Sequence, residues 1–194
     1  MNQTSSAPET PISNTPETAE IPHVSAVVEQ LCATVADYPA PGIVFKDLTP
    51  VFADAAAFKL VVDSIVANFA GKFDAVAGVE ARGFLLAAAA AYATGTGVIT
   101  IRKAGKLPRE VYAESYALEY GEATLELHQE DVPAGTRVLI LDDVLATGGT
   151  LGAAASLLER TGAVVAGIGV VMEIDGLPGR ANLPGREVHT LLHV

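Results

Sequence analysis

Apolar residues recur at helical spacing from His23 to Asp37, at Val24, Val27, Val28, Leu31 and Val35, and the stretch YPAPG ends that helix by proline geometry. The chain is then expected to run as a loop through PGIVFKDLTPVF before a second helical pattern from Ala55 to Phe69. FDAVAGV is a short apolar run closed by glycine, RGFLLAAAAAYA reads as a helix, and GVITIRK reads as another strand. Strand, helix, strand in succession predicts a parallel pair. Residues 104–122 lose this rhythm, and ATLELHQ then alternates like a half-exposed strand, as an excursion from the sheet would. RVLILDD is apolar up to its acids and reads as a centrally buried strand. The loop VLATGG, a helix from Thr150 to Arg160, the strand AVVAGIGVVMEI and a last short strand EVHTLLH follow. The expected fold class is α/β, an open, mainly parallel twisted sheet flanked by helices.

Residues 1–21 break the pattern. They are Pro, Glu, Thr, Ser and Asn with hardly an apolar anchor, so this acidic, Pro-rich segment is expected to be a disordered tail on a single domain spanning 22–194. The run Phe84 to Ala93 is apolar but far short of the roughly 20 residues needed to cross a bilayer, and it reads as a buried helix. With 12 Lys and Arg against 23 Asp and Glu, the formal charge of −11 repels nucleic-acid backbones and anionic membrane surfaces. An anionic substrate must therefore meet a local basic cluster. The single cysteine, Cys32, forms no intramolecular disulfide and reads as helix packing, and with no signal-peptide pattern the expected address is the cytoplasm. His23, His128, His189 and His193 show no metal-ligand spacing, so no metal site built from protein ligands is expected.

The stretch VLILDDVLATGGTL, residues 138–151, concentrates the candidate chemistry. Open α/β sheets bind ligands beyond the carboxyl ends of their strands, and Asp142 and Asp143 end a central strand there. In the ATGGT that follows, Gly148 and Gly149 let backbone N–H groups approach an anion at the positive end of a helix, and Thr147 and Thr150 add hydroxyls. The loop lacks the Lys of GxxxxGK[ST] and is not GxGxxG, which disfavours a nucleoside-triphosphatase loop and a dinucleotide fold. Two ionised carboxylates beside a phosphate cradle suit a polyhydroxylated phosphate ester.

VLILDDVLATGGT closely resembles the phosphoribosyl pyrophosphate motif of the type I phosphoribosyltransferases. YPAPGIVFKDLTPVF, GVEARGFLLA, IRKAGKLP, ALEYG and GLPGR resemble, in order, the adenine-specific branch of that family, so the likeness spans roughly residues 23–193. It implies the type I fold, with a small N-terminal hood over the base and a flexible catalytic loop. It also implies transfer of a 5-phosphoribosyl group from phosphoribosyl pyrophosphate to adenine N9, giving AMP and pyrophosphate in purine salvage.

The same resemblance implies roles for particular residues. Asp142 and Asp143 hold the ribose hydroxyls and support a cationic sugar, while Ala146, Thr147, Gly148, Gly149 and Thr150 bind the 5-phosphate. Arg82, Arg102, Lys103 and Lys106 face the pyrophosphate, and Mg²⁺ arrives bound to that group. Glu119 shares a proton with adenine N7 from a mobile loop and Tyr120 helps cover the pyrophosphate. The base lies between Phe45 and Val144, its Watson–Crick edge read by the backbone of Val44 and Lys46. A cis peptide in the Glu80–Ala81–Arg82 turn and a homodimer whose partner supplies part of the basic set are implied as well. Ala81 departs from the family, where a hydroxyl-bearing residue is common.

Taken alone, Arg82 and Lys103 read as solvated surface charge and Glu119 as a loop carboxylate; only the ordered context gives them roles. Two rivals remain at this stage. One is a phosphoribosyltransferase for xanthine, hypoxanthine or orotate. The other is a non-catalytic regulator that senses phosphoribosyl pyrophosphate and binds nucleic acid, for which the acidic charge is unsuited.

Overall fold

The computed structural model describes residues 23–38, 40–117 and 121–194. A seven-stranded sheet forms its centre, in the order β5-β6-β4-β3-β7-β8-β9. Strands β3 (Ala75–Val79), β4 (Gly97–Lys103), β7 (Arg137–Leu145), β8 (Val164–Glu173) and β9 (Val188–His193) run parallel. The hairpin of β5 (Val111–Ala117) and β6 (Glu122–His128) adds antiparallel to β4. This is the expected open, mainly parallel sheet. The chain passes from β3 to β4 on one side and reaches β7 on the other, so the order reverses between β3 and β7. The carboxyl ends of those two strands bound the natural crevice.

Helices cover both faces because the central strands are apolar on both. On one face, α5 (Gly149–Arg160) packs Leu151, Leu157 and Leu158 against Ile140, Ile168 and Leu127. On the other, α3 (Ala55–Asn68) and α4 (Gly83–Thr94) bring Val61, Ile65, Leu86 and Ala90 onto Leu139, Leu141 and Val171. Helix α3 starts as its sequence dictates, with the Asp54 side chain accepting from the Ala57 N–H at 2.8 Å. Among the described residues, no helix is long and apolar enough to cross a membrane.

Four expectations require correction. The first helix, α1, is Val24–Leu31, and residues Ala33–Ala36 form strand β1, because they pair antiparallel with Val44–Asp47, β2, in a separate two-stranded sheet. PGIVFKDLTPVF is therefore no plain loop: it holds β2 and a short helix α2 at Thr49–Ala53. Residues 104–122 include β5, so the excursion is itself an extension of the main sheet, fixed by its register with β6. Finally, α4 is buried on one face only, since Leu85 is 52% exposed and Tyr92 is 93% exposed.

Candidate active site

The crevice between β3 and β7 holds the acid pair. Asp142 and Asp143 are both buried, near the end of β7, and the Asp143 N–H donates to Asp142 Oδ1 at 2.9 Å. Burial first, and then the neighbouring charge of Asp143, push the Asp142 carboxyl well above the ordinary carboxylate range. Opposite them, the turn after β3 carries Glu80, Ala81 and Arg82 into α4, and the Glu80–Ala81 peptide is cis. Arg82 Nε lies 2.5 Å from Asp143 Oδ2. The contact is a charge pairing rather than an aligned hydrogen bond, because no donor among the described residues meets Asp143 Oδ2 with hydrogen-bond geometry. Gly83 makes this closeness possible: a Cβ there would lie 2.6 Å from Leu141 O and 3.2 Å from Asp142 Oδ1.

Glu80 organises the next cations. Its carboxylate accepts from the Lys103 N–H at 3.1 Å and from Arg102 Nε at 3.3 Å. Burial alone would raise this carboxyl, but those two donors outweigh it and hold the group below its ordinary value. Arg102 also donates to Lys106 O at 3.2 Å, which folds the 103–106 turn back toward the end of β4. Arg82 is thus tied to Asp143 and Arg102 to Glu80, and the backbone of Lys103 and Lys106 is held to the same two side chains, Glu80 and Arg102. Among the described residues, no group of three or more His, Cys, Asp or Glu is placed to hold a metal ion.

Ala146 to Thr150 turn from β7 into α5. Gly148 has φ +82°, a conformation that favours glycine, and the turn closes on a small cavity of about 70 Å³ lined by Val144, Ala146, Thr147, Gly148 and Thr150. The backbone N–H groups of such a helix start suit a phosphate. On the β2 side of Val144, a cavity of about 300 Å³ is lined by Ile43, Val44, Phe45, Lys46 and Val144, with Met172, Ile174 and Val194 completing its wall. It is mostly apolar and has room for a planar heterocycle.

One edge of β2 faces that cavity unpaired. Ile43 O accepts from the Tyr38 N–H at 3.3 Å, so Ile43 directs its backbone toward β1. Backbone groups alternate along an antiparallel strand, so Phe45 and Asp47 share that direction and Val44 and Lys46 face the open edge. A carbonyl at Val44 and an N–H at Lys46 are therefore presented side by side.

The base cavity and the glycine turn share Val144, the residue that follows the acid pair, and Arg82 reaches Asp143 from the turn after β3. Glu119 and Tyr120 lie outside the described residues. Sequence reasoning named Glu80 only as part of the turn and missed that it holds Arg102 and Lys103; it also missed the cavity wall of Met172 and Ile174, which read only as strand, and Val194. It also gave no role to Asn182, whose Nδ2 donates to Thr147 O at 2.7 Å; the neighbouring GLPGR was the available signal.

Residues 53–182 match the family model described as the phosphoribosyl transferase domain. The chain is 71% identical over 171 residues to the adenine phosphoribosyltransferase of Arthrobacter sp. (strain FB24), covering 88% of this chain and 92% of that one. Among solved structures, the adenine phosphoribosyltransferase of Thermoanaerobacter pseudethanolicus matches with TM-score 0.83 and 43% identity, covering 86% of this chain and 98% of that one. The Saccharomyces cerevisiae enzyme, complexed with D-2,5-dideoxy-2,5-imino-altritol 1,6-bisphosphate and adenine, matches with TM-score 0.82 and 36% identity, over 87% of this chain and 98% of that one. The chain belongs to the phosphoribosyltransferase family and, within it, to the adenine phosphoribosyltransferases.

Proposed function

We infer that the chain transfers the 5-phosphoribosyl group of phosphoribosyl pyrophosphate to adenine N9, releasing AMP and pyrophosphate. The observation that carries this reading is on β7, where Val144, next to the buried acid pair, lines both an apolar cavity of about 300 Å³ beside the unpaired edge of β2 and the small cavity of the glycine turn. Departure of pyrophosphate leaves positive charge on the sugar, and in this reading Asp142 and Asp143 stabilise it and accept from the ribose hydroxyls; their burial beside each other supports that role. The turn 146–150 holds the 5-phosphate and so fixes the sugar against the acids. Arg82, Arg102, Lys103 and Lys106 receive the leaving pyrophosphate.

Adenine lies against Phe45 and Val144, with the Val44 carbonyl accepting from its exocyclic amine and the Lys46 N–H donating to ring N1. Glu119 shares a proton with N7 as charge develops on the base, and Tyr120 covers the pyrophosphate. The substrate pyrophosphate would carry Mg²⁺, which would offset part of its charge. The segment 1–21, set apart from a single domain over 22–194 by its composition, lies outside the described residues. A single thiol, Cys32, suits a reducing cytoplasm.

A homodimer is the assembly this reading favours. Leu85 and Tyr92 stand two turns apart on the outer face of α4, and Val98 on β4 is 45% exposed, apolar side chains of the kind a second copy would cover. The test of function is incubation with Mg²⁺, phosphoribosyl pyrophosphate and, separately, adenine, hypoxanthine, xanthine and orotate. Nucleotide and pyrophosphate are expected with adenine; nucleotide from another base in preference, or from none, would overturn the reading.

A further inference from the structure

The turn 146–150 carries no lysine, so its grip on an anion depends on where its N–H groups point. A peptide unit beside a glycine of positive φ can rotate as a whole, and a rotated Thr147–Gly148 unit would present a carbonyl where a donor is needed. Something must hold it. Asn182 Nδ2 donates to Thr147 O at 2.7 Å. In a trans peptide the C=O and the following N–H point opposite ways, so fixing Thr147 O outward directs the Gly148 N–H inward, toward the small cavity of the turn.

Asn182 is in turn tied to the sheet. It closes the short 3-10 turn Arg180–Asn182, where its own N–H donates to Pro178 O at 3.1 Å. Arg180 Nε lies 2.9 and 3.0 Å from the two oxygens of Glu173, a buried carboxylate at the end of β8. Arg180 also donates to Val188 O at 3.0 Å and to Thr190 Oγ1 at 3.1 Å, both on β9. The two segments touch backbone to backbone: a Cβ on Gly179 would lie 2.6 Å from Ala146 O, and one on Gly148 would fall against Gly179 O.

We propose that Asn182, anchored through Arg180 and Glu173 to β8 and β9, is a positioning residue that sets the Thr147–Gly148 peptide for recognition of the 5-phosphate. The proposal rests on the reading of residues 146–150 as the 5-phosphate cradle. Two segments distant in sequence thereby make one site, and the GLPGR stretch acquires a function: it delivers the brace. Asn182 is exposed and touches no reacting atom in this arrangement, so its loss acts on sugar-phosphate binding and leaves the base cavity intact.

The test is calorimetric titration of ribose 5-phosphate, pyrophosphate and adenine into the full chain and three variants, with KM and kcat measured alongside. Thr150→Ala, in the cradle itself, should weaken ribose 5-phosphate. Asn182→Asp keeps the shape but removes the donor; it and Asn182→Ala should each weaken ribose 5-phosphate on the order of 10-fold or more. KM for phosphoribosyl pyrophosphate should rise correspondingly, with KM for adenine and pyrophosphate affinity within about twofold of the parent and the melting temperature little changed. If Thr150→Ala weakens ribose 5-phosphate and neither Asn182 variant does, the positioning role is refuted while the cradle stands. If none of the three weakens it, the cradle reading falls and the proposal with it. Equal losses for ribose 5-phosphate, pyrophosphate and adenine would show a merely structural residue and would overturn the proposal too.

Discussion

Arg82, at the start of α4, pairs with Asp143, near the end of β7, across the one point where the strand order of the sheet reverses. The partners are unequal, because the Arg82 side chain is 42% exposed and that of Asp143 only 9%. The cation is therefore the wet partner and the anion the buried one. Before substrate arrives, each compensates the other's charge.

Removing either partner should be felt in catalysis, and the two losses should not add. Arg82→Ala and Asp143→Asn are each expected to lower kcat/KM for phosphoribosyl pyrophosphate by about 10²–10³-fold. The double variant should lose clearly less than the product of the two, because each single change also leaves a charge unmatched. A steady-state double-mutant cycle measures this; strict additivity would show that the residues act separately.

Asp142 is expected to trade stability for function. Its carboxyl is raised by burial and by Asp143, so the folded chain binds the proton more tightly than the unfolded chain does. Such a group favours folding least above its folded pKa, and stability falls as pH rises from the unfolded carboxylate range upward. Asp142→Asn keeps the Oδ1 acceptor for the Asp143 N–H and removes the ionisable group. The variant should melt higher than the parent at pH 8, by roughly 2–4 °C for each kcal/mol relieved, with the gap closing below about pH 4, while kcat collapses. Melting curves from pH 3 to 8 would contradict this if the variant were less stable throughout.

The opposite sign is expected at Asp74. Arg137 donates to it from Nε at 2.9 Å and from the main chain at 3.1 Å, and the guanidinium holds the carboxyl down at about 2. A depressed carboxylate stabilises the fold above its unfolded pKa, and that contribution disappears as pH falls toward the folded value. Asp74→Asn should therefore melt below the parent at pH 7, by a modest amount because the pair is exposed, and the difference should vanish between about pH 4 and pH 2. Equal melting temperatures at pH 7 would show that Arg137, which also donates to Gly71 O at 3.0 Å, holds β3 and β7 together without its partner.

What was legible in the sequence was local. The strand β7 with its acids and the turn into α5 is one contiguous run, so its apolar pattern, its charges and its glycines are read together. The helical spacing of Val24 to Leu31 was real, but extending it to Val35 failed because pairing of Val35 with Phe45 overrides periodicity, and that partner lies beyond a turn. Strand β5 was lost in the same way, since its alternation is weak and its register is set by β6. Contacts between distant segments gave no signal: the Asn182 brace joins residues 35 apart, and the charge pairing of Arg82 depends on how β3 and β7 are ordered in the sheet. The exposed face of α4 escaped notice because an alanine-rich run looks equally apolar all round.

The central claim is that main-chain groups on the open edge of β2 select adenine. Hypoxanthine presents a carbonyl where adenine has its amine and a proton on N1, so the Val44 carbonyl would face a carbonyl and the Lys46 N–H would face an N–H. At about 1–3 kcal/mol for each buried polar group left unpaired, two mismatches should cost on the order of 2–6 kcal/mol. The decisive measurement is kcat/KM for the two bases at saturating phosphoribosyl pyrophosphate and Mg²⁺, in the parent and in Lys46→Ala. A preference for adenine of roughly 30- to 10⁴-fold is expected in the parent, largely kept in Lys46→Ala because the reading group is backbone. Comparable values for adenine and hypoxanthine in the parent would contradict the account.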